Sequence, residues 1–99
     1  MIRGTTPKLE FTLPFDVSIL AEAWVTLSQN GKEILNKELE ECHCDEKQLS
    51  VQLTQEETLS LDCDCKTEIQ VRVRTHEGEA LACDVITVDT GRILKDGVI

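Results

Sequence analysis

Apolar and polar residues alternate with a period of two along most of this chain. The clearest run is Glu68–Arg74, where Ile69, Val71 and Val73 alternate with Gln70, Arg72 and Arg74; this predicts a strand with one buried and one wet face. The polar stretch Thr75-His76-Glu77-Gly78-Glu79 follows, and then Leu81, Cys83 and Val85 alternate again, which predicts a β-hairpin. Its second arm changes phase after Asp84, because Ile86 and Val88 take the parity of Ala82 and Asp84; a bulge, or burial on both faces, is expected there. Cys83, among apolar neighbours, is expected in the core.

The same pattern runs through the rest of the chain. Leu9, Phe11 and Leu13 form a strand that Pro14 ends, since proline cannot donate to a sheet ladder. Asp16 is placed to cap a short helix reaching Ala23, with Phe15 and Leu20 at hydrophobic-staple positions. Ala23, Val25 and Leu27 make a strand closed by Asn30-Gly31, the pair that supplies the two positive-φ residues of a type I′ turn. The return arm runs from Lys32 to Glu40, with Leu35 and Leu39 on one parity and Ile34 on the other. Glu40–Gln48 is too polar for the core and is expected to be a loop. Leu49, Val51 and Leu53 form a further strand, and Thr54 with Glu57 has capping-box spacing, so Gln55–Leu59 is expected to be one helical turn, with Leu59 and Leu61 inward. No segment is long enough for a βαβ crossover. The fold expected is mainly β: one antiparallel β-sandwich domain over residues 1–99, immunoglobulin-like or a partly open barrel, with six or seven strands and one or two single-turn helices.

A 99-residue chain makes one modest core, and with two Phe, one Trp and no Tyr that core must come from Leu, Val and Ile. Nineteen acidic against ten basic residues give a charge of −9, which opposes direct contact with nucleic acid or an anionic membrane. The amino terminus lacks the apolar region of a signal peptide and no run reaches the length of a membrane span, so a soluble protein made in the cytoplasm is expected. Five cysteines there stay thiols.

Two Cys-x-Cys pairs are the most suggestive chemistry. Cys42 and Cys44, with His43 between them, and Cys63 and Cys65 would hold a tetrahedral zinc if their loops met; paired zinc ligands are usually two to four residues apart, and a disulfide between the pairs would need an oxidising compartment. The bland alternative is four small, half-buried side chains at strand ends. His43 and His76 lie in expected loops, and no phosphate loop, nucleophile elbow or metalloprotease motif occurs, so no enzyme activity and no cofactor are expected. The closing stretch, with Ile93, Leu94, Val98 and Ile99, is either a last strand folded on the core or a free apolar contact surface.

Over most of its length the chain resembles a group of roughly hundred-residue proteins encoded in bacterial prophages near the virion-structure genes. The resemblance rests on MIRGTTP with FTLPFD, VTLSQNG, LTQEETL, EIQVRVRTHEGEAL and the closing LKDGVI; the paired cysteines are not part of the pattern. It implies a phage-derived β-sandwich acting with tail or baseplate components, present in the host cytoplasm during assembly and then in the virion. The partners implied are other phage structural proteins or further copies of itself. A different class fits the same size and charge: an acidic inhibitor of a host defence or nucleic-acid enzyme, anti-CRISPR-like or a DNA mimic, with Glu38, Glu40, Glu41, Asp45 and Glu46 gathered on one face.

Overall fold

A computed structural model describes Met1–Ile99. The protein is mainly β, with eight strands in two antiparallel sheets and one helical turn. The smaller sheet has the order β1-β5-β4, from Lys8–Thr12, Gln48–Gln52 and His43–Asp45. The larger is built on β2 (Leu20–Gln29) and β6 (Thr67–Thr75), with β3 (Lys32–Glu38) outside β2. Outside β6 lie β7 (Ala80–Ala82) and β8 (Ile86–Val88), paired to different halves of that strand.

Period-two patterning fixes which residues meet. Leu20, Ala23, Val25 and Leu27 from β2, and Ile69, Val71 and Val73 from β6, face Leu49, Val51 and Leu53 from and after β5, all buried in one core shared by both sheets. The β2/β6 pairing sets Ala23 opposite Val73, Val25 opposite Val71 and Leu27 opposite Ile69, so the two longest strands put their apolar parity on one side together.

Local signals hold where they name a specific backbone geometry. Asn30 and Gly31 both have positive φ (51° and 76°), as the β2–β3 turn requires. Thr54 and Glu57 form the full capping box of α1 (Gln55–Leu59), each side chain bonding the other's backbone N–H. Leu61 is buried and Leu59 half-buried. Ile34, off the parity of Leu35, is the extra residue of a bulge, since Leu27 faces Leu35 while Ser28 faces Glu33.

Four expectations need correction. The helix through Ala23 is only a three-residue 3₁₀ turn, Val17–Ile19: Asp16 does cap it, accepting from Ser18 N–H, but from Leu20 onward the backbone pairs with β6 instead. Glu40–Gln48 is not a plain loop, for it holds the end of a 3₁₀ turn (Leu39–Glu41) and the edge strand β4, three residues whose single inward side chain is Cys44, too short a run for alternation to mark it. The second hairpin arm is split into β7 and β8, and with β4 this raises the strands from six or seven to eight. Cys83 is exposed, not core. It sits in the bulge between β7 and β8, where three residues oppose two on β6; its Sγ accepts the Val71 N–H at 3.2 Å and its own N–H reaches the Val71 carbonyl at 3.0 Å.

A buried polar pin closes one end of the core. The Gln29 amide donates to the Asp62 carbonyl and accepts the Asp62 N–H, both at 2.8 Å, and its NH₂ also reaches the Thr67 hydroxyl, itself 2.6 Å from that of Thr90. This ties β2 to the turn before β6 and to the chain after β8. Replacing Gln29 by Ala would leave the Asp62 peptide and the two threonines short of partners, and a loss of about 2 kcal/mol in urea unfolding, with an unchanged slope, is expected.

Lys37 on β3 bridges Glu57 of α1 and Glu41. Burial, the largest single influence on Glu57, pushes its carboxyl up, but the hydrogen bonds from Lys37 and from the Thr54 backbone together outweigh it and hold the group below the usual glutamate range. The Glu57 hydrogen bond, working against burial and helped by Glu41, raises the Lys37 ammonium above its ordinary value. A depressed carboxyl stabilises the fold above its ordinary pKa and loses that contribution as pH falls through the folded value. The difference in melting temperature between the native protein and Glu57→Gln should therefore be full at neutral pH and shrink steadily in acid.

Candidate interaction surface

The four cysteines of the paired motifs are half-buried thiols and do not converge. The cluster of metal-capable side chains that does form is Asp62-Cys63-Asp64, whose ligand atoms lie within 4.8 Å of one another; neither Cys42, Cys44 nor Cys65 joins it. It is a tight turn in which the Asp62 carboxylate accepts the Asp64 N–H at 2.8 Å. Cys42 lies under the 3₁₀ turn beside β4 and its thiol donates to the Glu38 carbonyl. Burial above all, with Cys44 and Glu41 adding negative charge, pushes the Cys42 thiol up to about 11; burial likewise raises Cys44. Such thiols stay protonated near neutral pH and are poor nucleophiles. His43 and His76 are both exposed.

The smaller sheet covers the middle of the larger one but not its margin. Every residue from His76 to Thr87 is exposed, including Leu81, Val85 and Ile86. Where the sheets part, an apolar cleft of roughly 290 Å³ opens. Leu13, Pro14 and Phe15 form one lip, Leu81, Ala82 and Cys83 the other, and Val71 and Val73 the floor. Asp16 and Asp84, both exposed, follow the two lips directly in the chain. The β1 edge on this side carries exposed Lys8 and Glu10, 3.7 Å apart.

The closing stretch is not a strand. Ile93 packs over Gly4 and Leu59, and the Ile99 backbone is held by both ends of the Gln55 amide at 2.8 and 3.1 Å. Between these anchors the chain turns through Gly97 and leaves Leu94 93%, Val98 55% and Ile99 90% exposed. Of the four tail residues expected to make contacts, three are free on the surface and Ile93 serves its own fold. The cleft was invisible to period-two reading, which assigns Leu81 and Cys83 to a buried parity; only a count of strands per sheet shows that nothing covers them.

No protein-family model matches the chain, nor does any curated protein or solved structure. No helix is long and apolar enough to cross a membrane.

Thiol reactivity gives a direct check of this arrangement. At neutral pH iodoacetamide is expected to modify the exposed Cys83 first and Cys42 last in the folded protein, with the order lost in denaturant; intact-mass and peptide analysis over time reads it out. Early labelling of Cys42 would show that the segment around β4 is open.

Proposed function

We propose that the chain is a phage-derived, immunoglobulin-like β-sandwich that works without catalysis, as an adaptor or assembly module of a tail or baseplate, through contacts with other proteins. The observation that carries this reading is the uncovered apolar margin of the larger sheet, with the cleft beneath it and the exposed tail. Exposed apolar surface with charge beside it on a small acidic protein is what a docking face requires. The motif resemblance to prophage proteins supplies the setting.

Strand order supports the finer fold assignment. In this reading β1, β5 and β4 take the places of strands B, E and D of an immunoglobulin sheet, and β3, β2, β6 and the β7–β8 arm those of C′, C, F and G. One departure is Trp24, which lies on β2 but on its outer parity, opposite Arg72 and Glu38, rather than in the core. Another is strand A. The residues before β1 make a single parallel bridge, Ile2 to Gly91, and the place beside the β1 edge holds no strand.

A second reading, the acidic inhibitor, is favoured by one observation: Glu38, Glu40, Glu41, Asp45 and Glu46 are all exposed along one short segment. Mass spectrometry of purified particles released from the source strain separates the two. This chain at a stoichiometry comparable to the tail proteins is the expected result. Its presence in the lysate but not in particles would overturn the virion role and favour an assembly helper or the inhibitor, whose binding to a basic host protein would weaken steeply with salt.

A further inference from the structure

We propose that the apolar cleft receives the tail loop of a second copy of this chain, Leu94 entering between the lips and Arg92 and Lys95 lying against Asp16 and Asp84, so that copies join head to tail. This rests on reading the chain as a protein–protein contact module and names the partner at that same cleft.

The cleft and the loop are complementary in polarity and charge. The cleft is open, apolar on both lips and floor, and each lip is followed directly by an exposed carboxylate, of which Asp16 also accepts the Ser18 N–H and has Lys47 nearby. The tail presents a leucine almost wholly in water with an exposed cation at each side: Arg92 two residues before it and Lys95 just after. The loop carries Arg92 and Lys95 against one acid, Asp96, so the residues before Gly91 hold eight basic and eighteen acidic side chains. Copies that repel one another overall are thus drawn together at this contact.

Geometry excludes the loop from its own cleft. Ile93 sits by Gly4 and Leu59, and Ile99 by Gln55, next to the Gln52 end of β5, which pairs with Lys8. The cleft lies past Thr12, at the other end of β1, in a molecule 46 Å long. A loop at one end and a receptor toward the other make a heterologous contact, which repeats into rings or filaments instead of stopping at a pair. The obvious symmetric alternative, β1 against β1 of a second copy, would place Glu10 opposite Glu10 when the strands are centred on each other, and like charges directly opposite are unfavourable. A contact built on one leucine and two rim ion pairs is small, so it is weak and transient in free solution.

The test uses the full chain in sedimentation velocity and native mass spectrometry over a concentration series reaching the millimolar range. The native protein should show concentration-dependent dimers and higher species. Leu94→Asp removes the loop's leucine from a position with no packing role, and Ala82→Arg blocks a lip at an exposed residue; each should weaken association by about tenfold to a hundredfold. Leu81→Asp serves as a second lip variant should Ala82→Arg disturb the hairpin, with circular dichroism and melting confirming the fold of all three. Mixing the loop variant with a lip variant leaves one intact loop and one intact cleft, so the mixture should regain a single native-strength contact and stop at pairs. A monomeric native protein throughout the series, association unchanged in either variant, or a mixture that regains nothing would overturn the inference. None of these results touches whether the chain is present in particles, which is read independently.

Discussion

The two sheets are of unequal width, and most of what is unusual about this protein follows from that. Five strands face three. The central pair, β2 and β6, packs against β5 and β1, and their inward residues are largely excluded from water. Beyond β6 the larger sheet continues into β7 and β8, with main-chain bonds on one side and no strand of the smaller sheet laid over them. Hydrogen bonds to β6 hold most of this margin, and of its apolar side chains Val88 packs against the core while Leu81, Val85 and Ile86 remain wet.

The bulge at Cys83 determines how that margin lies. Three residues spanning two shift the register by one and increase local twist, which turns β8 out of the line of β7 and shortens any straight edge on which another strand could pair. The sulfur keeps the interruption from being costly: it takes the Val71 N–H that the displaced ladder would leave free. Gln70 adds a bond to the Cys83 carbonyl at 3.0 Å. The thiol is thus a backbone-satisfying group at the rim of the cleft, a role that the core expectation does not anticipate.

Legibility in the sequence followed the range of the interaction. Features set within a few residues could be read: the Asn30-Gly31 turn, the Thr54/Glu57 box, the inward parity of β2, β5 and β6, and the phase change of the second hairpin arm. Features set by what lies across the molecule could not. Asp16 makes its cap as its residue type suggests, yet the helix ends at Ile19 because β6 offers Leu20 a ladder. Gln29 looks like a turn-flanking polar residue and is in fact buried in a network linking three separated segments. Leu81 and Cys83 have the parity of core residues, and only the absence of an opposing strand leaves them in water. The two Cys-x-Cys pairs are similar in sequence, but one lies beside an edge strand of the smaller sheet and the other in the turn before β6.

Exposed apolar surface on a free sheet margin invites indiscriminate pairing, and the distribution of charge restricts it. Lys8 and Glu10 occupy the outer parity of the open β1 edge, where a strand added there must accommodate both. The cleft itself is flanked by carboxylates, in a chain whose acidic residues outnumber the basic nearly two to one. An apolar segment with no cation beside it gains burial in the cleft but draws water from Asp84 and from the free oxygen of Asp16 without return, whereas one bracketed by basic residues gives both carboxylates an ion partner. In the proposed contact, burial supplies the attraction and the rim supplies the discrimination. The residue types that meet both demands together, a leucine with an arginine and a lysine close by, stand at the far end of the same chain.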